Sequence, residues 1–414
     1  MFLRKLWPKE SDGAASTTQD GDHSLKKNKT WLRVLVAALF IAVLLIVVST
    51  ITIYNNSMDG YDYAPVFAVD TPTPPEPPMD FIQPPLPDPY QTMRWDDPSD
   101  ELRDTRPLSL LTGLHIDEEY LTRRPIAVVI NNIHRALPQS GIASADVIYE
   151  VLSEGDVTRL VGIFQSYMPE KIGPVRSARD SFVDFAFNHD AIFVHHGRSP
   201  DADTRLRNTR ITNLDGMALE GTVFWRDRTY PYWHHNTGTR PLEHSSYTSW
   251  ERITRHMESR SIRDYVNDNP AYGLTFGIVP EYPDAGVANS VRVPFSVPYT
   301  RTFVFDPEAG VYWVENRDGL HQDAETAEQV AVANILIQLT TKRVTGSLGQ
   351  RTVGTVGEGA GFLVTGGTYR PVRWAKDSHT TPMRWYFGDG SPLVLAPGVT
   401  WICVFQSSGT VVFE

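Results

Sequence analysis

The run from Val34 to Tyr54, VLVAALFIAVLLIVVSTITIY, contains no charged residue. The hydrocarbon core of a bilayer is about 30 Å thick and is spanned by about 20 apolar residues in a helix. The run therefore predicts a single transmembrane helix over 34–54. A cleaved signal peptide is the alternative, but its apolar core is only about 7–15 residues long and lies closer to the N-terminus.

Positive charges cluster on one side of this run. Lys26, Lys27, Lys29 and Arg33 precede it, whereas the first Lys or Arg after it is Arg94. Basic residues next to a membrane span are retained in the cytoplasm. We therefore predict a cytoplasmic tail over 1–33 and an extracytoplasmic location for everything after the span. The protein would then be a single-pass protein of the cell membrane.

The composition narrows the range of partners. The chain has a formal net charge of −11, and residues 1–33 contain seven Lys or Arg against four Asp or Glu, so the acidic excess lies in the remainder. Nucleic acid is not expected as a partner, because phosphate binding requires clustered cations. The single cysteine, Cys403, excludes a disulfide within the chain and is predicted to be buried in a strand.

The chain divides into segments of different composition. Residues 55–105 contain TPTPPEPP and QPPLPDP, which predict a proline-rich, disordered linker that extends from the membrane. Strand and helix patterns in 106–266 predict a mixed α/β domain, and short strands between turns in 267–414 predict a mainly β domain. The predicted fold class is therefore α+β, with one transmembrane helix in front.

Local patterns also predict individual elements. IAVVINN predicts a buried strand, and DVIYEVLSE and RLVGIFQS predict two strands joined by a Gly-Asp turn. Ser177 is the predicted N-cap of one helix, and Thr248 or Ser249 is the predicted N-cap of another. A short helix is predicted over residues 324–330.

Longer segments resemble a known family. RPIAVVINNIHRALPQSGIASADVIYEV, IGPVRSARDSFVDFA and AIFVHHGRSP resemble the N-terminal domain of the YerB-like lipoprotein family. VYWVENRDGLHQDAETAEQVAVANILIQ and SPLVLAPGVTWICV resemble its C-terminal domain. The resemblance implies two extracytoplasmic domains, but no mechanism, because the family has no assigned activity. Members of the lipoprotein type carry a lipidated cysteine, whereas this chain has the apolar run instead.

Three arginines are candidates for binding an anion. Arg176 and Arg179 are three residues apart at the start of a predicted helix, where such residues share a face and free backbone N–H groups add positive potential. Arg159, on a neighbouring strand, can join them. A guanidinium group binds carboxylate or phosphate in a bidentate manner. The alternative is that these arginines form structural ion pairs with Glu150, Glu154, Asp180 or Asp184.

Histidines add to this candidate site. His195 and His196 end a strand, and His235 and Asn236 lie in an aromatic loop. Neutral imidazole is a common zinc ligand. Adjacent strand residues point to opposite faces, however, so only one of the two strand histidines can face a given site. Because the sequence contains neither HExxH nor paired-cysteine spacing, we predict no metal and no cofactor.

Two functions remain open, besides a purely structural role as a spacer that binds no ligand. The first is a non-enzymatic module of the cell envelope that binds wall polymer or another envelope protein through Arg159, Arg176, Arg179, His195, His235 and Asn236. The second is a hydrolase of wall polymer in which Glu150 or Glu154 acts as the general acid, since two carboxylates at a suitable separation can cleave a glycosidic bond. The sequence does not fix the separation of the two carboxylates that this reaction needs, so the full set of catalytic residues stays unknown.

Overall fold

A computed structural model describes residues 105–414, apart from 232–233, 235–237, 268–269, 271, 281, 318 and 346–348. The predicted tail, the predicted transmembrane helix and nearly all of the predicted linker lie outside these residues. Among the helices that the structure describes, none combines the length and the apolar character needed to cross a membrane.

Strands dominate the described residues. In the N-terminal half they are β1 (Ile126–Asn131), β2 (Val147–Glu154), β3 (Val157–Phe164), β4 (Ile192–His195), β5 (Asn213–Asp215), β6 (Trp225–Arg226) and β7 (Ser246–Tyr247). In the C-terminal half they are β8 (Gly286–Val287), β9 (Ser290–Ser296), β10 (Tyr299–Asp306), β11 (Val311–Asn316), β12 (Gly319–Leu320), β13 (Ala331–Val332), β14 (Asn334–Thr340), β15 (Lys342–Val344), β16 (Arg351–Val353), β17 (Gly357–Thr365), β18 (Thr368–Lys376), β19 (Arg384–Tyr386), β20 (Thr400–Gln406) and β21 (Val412–Phe413).

The described helices all lie in the N-terminal half. The α-helices are α1 (Glu118–Leu121), α2 (Asp180–Phe187), α3 (Pro200–Thr209), α4 (Gly216–Leu219) and α5 (Trp250–Ser259). Short 3₁₀ helices cover His134–Ala136, Ile142–Ser144 and Leu242–His244. The side chain of Ser249 accepts the N–H of Arg252 and caps α5, as predicted.

One sheet of eleven strands runs through both halves of the chain. Its order is β19-β18-β17-β14-β20-β2-β3-β1-β4-β5, with β8 paired to β18. The two halves meet where β2 pairs in parallel with β20, residue Val147 opposite Thr400 and Val151 opposite Val404. Both strands are buried over almost their whole length, as expected for parallel strands covered on both faces.

The large sheet is covered differently on its two faces. On the helix side, Val151 and Val161 belong to an apolar cluster with Phe182 of α2. On the strand side, Ile148 and Leu160 belong to a cluster with Phe303 of a second sheet, whose order is β12-β11-β10-β9-β21. Successive residues of β2 and β3 therefore point alternately to the helix side and to the strand side.

The α+β class is confirmed, because α-helices are confined to the first half and the described residues after α5 form strands and turns. The predicted hairpin is β2–β3, with Gly155 in its turn at a φ of +51°. Cys403 is buried, as predicted, and burial raises the pKa of its thiol. The predicted boundary between residues 266 and 267 falls between α5 and β8 and stays a prediction.

Two predictions about helices are wrong. Residues 324–330 form turns rather than a helix, because the N–H of Glu325 donates to the Asp323 carboxylate at 2.8 Å and Asp323 N–H donates to Glu328 O at 2.9 Å. Ser177 does not cap α2, which starts at Asp180. Backbone bonds from Arg176 N to Val129 O and from Ala178 N to Gly197 O, both 2.9 Å, hold this segment against β1 and the loop after β4 instead.

Candidate functional site

Two buried arginines converge on the carboxylate of Glu154 at the end of β2. Arg159 of β3 and Arg179, the residue before α2, each donate through Nη2 to a different carboxylate oxygen. Their Nη1 atoms are held by backbone carbonyls, Ser177 O at 2.7 Å from Arg159 and Ala178 O at 2.8 Å from Arg179. The two arginine side chains are 3% and 6% exposed, whereas that of Glu154 is 33% exposed.

A β-bulge brings Glu154 to this side of the sheet. By strict alternation Glu154 would share the strand side with Glu150 and Leu152. The β2–β3 register shifts between Leu152, which pairs with Thr158, and Glu154, which pairs with Val157. The extra residue re-aims the Glu154 side chain toward the helix side, where Arg159 points.

Arg176 forms the half-buried edge of this group. Its Nη1 donates to Glu243 O at 2.7 Å, and its Nε is buried without a hydrogen-bond partner among the described residues. Burial lowers the pKa of Arg176, the Glu154 charge raises it, and the Arg179 charge lowers it again, so the three side chains are electrostatically coupled. We call Glu154, Arg159, Arg176 and Arg179 the arginine cluster.

The arginine cluster carries a surplus of positive charge. Burial raises the pKa of Glu154, but the charges of Arg159 and Arg179 outweigh burial, and the net effect lowers this pKa below its usual value. Burial also lowers the pKa of Arg159, and the neighbouring Arg179 charge adds to that effect. Arg159 and Arg179 thus share the Glu154 carboxylate, while Arg176 interacts with Glu154 and Glu243 through charge and forms no salt bridge among the described residues. Arg176 therefore has capacity for a second anion.

The predicted histidines are not part of this cluster as described. His195 is fully buried; its Nδ1 lies 2.9 Å from Gly197 O and its Nε2 lies 3.2 Å from the side-chain oxygen of Asn213. Burial lowers the pKa of His195, which favours the neutral ring. His235 and Asn236 lie outside the described residues.

Within residues 105–414 as described, no group of three or more His, Cys, Asp or Glu could hold a metal ion.

A second carboxylate–arginine pair lies on the strand side. Glu150 of β2 and Arg301 of β10 are each 2% exposed, and Arg301 donates to both carboxylate oxygens, at 2.8 Å from Nε and 3.2 Å from Nη2. Asn132 at 3.1 Å and Thr158 at 2.9 Å donate to the same carboxylate. The remaining Nη1 of Arg301 binds Glu315 O and the ring of His321. This pair joins the two halves of the chain.

This geometry does not suit either carboxylate to the role of general acid. A general acid needs a proton at working pH, which usually requires a raised pKa. Glu154 has a lowered pKa and two guanidinium partners. Glu150 accepts four hydrogen bonds, two of them from Arg301, so both of its carboxylate oxygens are already engaged.

The local pattern carried a signal for the buried pair that our sequence reasoning missed. In β10, Arg301 occupies an inward position in alternation with Phe303, and both are buried. Glu150 lies between Ile148 and Leu152 on the strand side in the same way. A charged residue at a core position is rarely left unpaired, so each of these two positions predicts a buried partner of opposite charge.

The fold defines a class of α+β protein whose two halves share one sheet and are joined by the buried Glu150–Arg301 pair. Models of the "Protein of unknown function (DUF3048)" N-terminal and C-terminal domains match residues 111–263 and 291–402. A protein of Bacillus subtilis (strain 168) named "Putative lipoprotein YerB" is 34% identical over 297 residues, which cover 70% of this chain and 84% of the relative. The chain belongs to the YerB-like family.

A solved structure extends the similarity to three dimensions. The crystal structure of the YerB protein from Bacillus subtilis matches with a TM-score of 0.62 and 32% sequence identity. The match covers 72% of this chain and 96% of that chain. The described fold is therefore that of the family.

Proposed function

We propose that this protein is an anchored, non-enzymatic binding module of the cell envelope, and that it holds an anionic group of wall polymer at the arginine cluster. The observation that carries the proposal is that Arg159 and Arg179 share the Glu154 carboxylate while the half-buried Arg176 beside them forms no salt bridge among the described residues. Arginine binds carboxylate and phosphate in a bidentate manner, and both groups are common in envelope polymers.

The location rests on the uncharged run 34–54 and on the basic residues before it. The relative from Bacillus subtilis is named as a lipoprotein, which supports attachment to a membrane. We propose that a retained transmembrane helix replaces the lipid anchor here. Protease added to intact cells should then degrade residues 105–414, and protection until the cells are lysed would contradict this topology.

Binding can be tested with the full-length chain in detergent by co-sedimentation with purified cell wall. Arg176→Ala should weaken binding by at least about tenfold, because a hydrogen bond to a charged group contributes about 1.5–3 kcal/mol. Binding should also weaken as salt is added, because exposed charges are screened. Wild-type affinity in Arg176→Ala would contradict the assignment of the site.

A matched control is Arg252→Ala. Arg252 is also half-buried and also donates to a backbone carbonyl, Thr222 O at 3.0 Å, but it lies on α5 outside the arginine cluster. This variant should bind the wall as well as the wild type. If the wall does not bind while a membrane protein co-purifies in an Arg176-dependent manner, the anion belongs to a protein partner instead.

A further inference from the structure

A cavity of about 310 Å³ lies on the strand side, where the two halves of the chain meet. One wall comes from the N-terminal half, with Asn132 after β1 and the nearby His134. The other wall comes from the second sheet, with Tyr299 and Thr300 of β10 and Arg317 after β11. The volume is at the small end of the range of about 300–1,000 Å³ that is typical of ligand sites, so it suits one substituted ring rather than a long chain.

The interior of the cavity is polar but locally neutral. Glu150 and Arg301 both line it, and they neutralise each other through two hydrogen bonds. Asn132 is fixed as well, because its amide donates to Glu150 and its oxygen accepts from Gln139 at 3.0 Å. These groups are held in place before any ligand arrives. They can therefore orient hydroxyl and amide groups at a small entropic cost.

The mouth of the cavity is positive. Arg317 is exposed, and its side chain has no ion pair or hydrogen bond with any other residue that the structure describes. Among the described lining residues, Glu150 supplies the only carboxylate, and it is already paired with Arg301. One cation therefore remains for a ligand. The ring of Tyr299 and the neighbouring Pro298 add an apolar wall.

We propose that this cavity binds a single sugar residue that carries a carboxylate. Hydroxyl and amide groups of the sugar would meet Asn132, Thr300 and the buried pair, its less polar face would lie against Tyr299, and its carboxylate would bind Arg317. The site is separate from the arginine cluster, because Glu150 and Thr158 point to the strand side while Arg159 points to the helix side. It does not depend on the function proposed above.

The test uses the full-length chain in detergent with defined sugars, measured by isothermal titration calorimetry. N-acetylmuramic acid and N-acetylglucosamine differ by a carboxylate-bearing lactyl group, so the pair isolates the proposed contact. We expect the acid to bind at least about tenfold more tightly than the neutral sugar. Arg317→Ala should remove this preference, because the residue is exposed and its loss leaves the fold intact.

Two controls test whether the preference depends on the position of the arginine and on the chemical class of the ligand. Arg343→Ala removes an equally exposed arginine from β15, outside the cavity, and should keep the preference. Acetyl-D-alanyl-D-alanine offers a carboxylate on a peptide and should bind more weakly than the acidic sugar. The proposal is overturned if neither sugar binds, if both bind equally, if Arg317→Ala keeps the preference, or if the peptide binds more tightly. Arg176→Ala should leave sugar binding unchanged, so a failure here is distinguishable from a failure of the arginine cluster.

Discussion

Glu150 and Glu154 lie four residues apart on the same strand, yet their surroundings differ in charge balance and in exposure. Glu150 has one guanidinium partner and is 2% exposed. Glu154 has two direct guanidinium partners, a third nearby at Arg176, and 33% exposure. The Glu150 pair is balanced in charge and buried, whereas the arginine cluster has a cation without a salt bridge at its half-buried edge.

The comparison shows that ion pairing by itself does not decide what an arginine does. Burial of a balanced ion pair costs desolvation free energy. Removing either member strongly destabilises the fold, because the other charge is then buried without a partner. A cluster with excess cations can still gain free energy by binding a second anion. Charge ratio and exposure therefore separate the two sites better than the presence of ion pairs.

The largest expected effect is that of Glu150→Leu. This substitution leaves Arg301 buried without its counter-ion and should lower the free energy of unfolding by about 3–5 kcal/mol. Urea denaturation can be followed by tryptophan fluorescence, to which the buried Trp401 contributes, with its ring 5.0 Å from the Arg301 guanidinium. The double variant Glu150→Leu with Arg301→Met should recover part of the loss. An unchanged free energy of unfolding in the single variant would contradict a stabilising role for Glu150 beside Arg301.

Glu154→Gln should have a smaller effect, lowering the free energy of unfolding by about 1–3 kcal/mol. The amide oxygen can accept from only one of the two arginines, because the other carboxylate oxygen becomes an NH2 group, and the side chain no longer balances their charges. Glu251→Gln is a suitable control, because that side chain is 76% exposed and lies on α5, outside the arginine cluster. A loss as large as that of Glu150→Leu would remove the distinction drawn between the two sites.

The arginine cluster should also make the free energy of unfolding depend on pH. Burial raises the pKa of Glu154, but the charges of Arg159 and Arg179 outweigh it, so the pKa in the folded state lies below the usual glutamate value of 4.5. The unfolded chain then binds more protons, and stability falls as the pH drops from about 4.5 through the folded pKa. Glu154→Gln should flatten this part of the profile of unfolding free energy against pH. An unchanged slope would show that Glu154 is not the group responsible.

The smallest expected effect on stability is that of Arg176→Ala. Substitutions at the protein surface usually change the free energy of unfolding by no more than about 0.5 kcal/mol, and Arg176 makes one hydrogen bond to a backbone carbonyl, Glu243 O. The variant should therefore unfold at nearly the wild-type urea concentration while it loses wall binding. Substantial destabilisation would place Arg176 among the structural residues, with Arg159 and Arg179.

Local patterns in the chain predicted much of the fold and part of the site. Strand β1, the β2–β3 hairpin and the cap of α5 depend on residues close together in sequence, and all three were predicted. The grouping of Arg176 with Arg179 was predicted from their spacing, although the reason was wrong, since α2 begins only at Asp180. The role of Arg301 was missed, because its partner Glu150 lies 151 residues away.

The sequence by itself determined the apolar run, the acidic balance of the remainder, the order of strands and helices, and the family, since these depend on composition and on the period of the backbone. Only the tertiary structure decided that both halves share one sheet, that a bulge turns Glu154 toward Arg159 and Arg179, and that Arg301 closes over Glu150. The physical reason is that backbone periods are local. The partner of a buried charge is chosen by which distant strands pair, and one residue of register changes the face to which a side chain points.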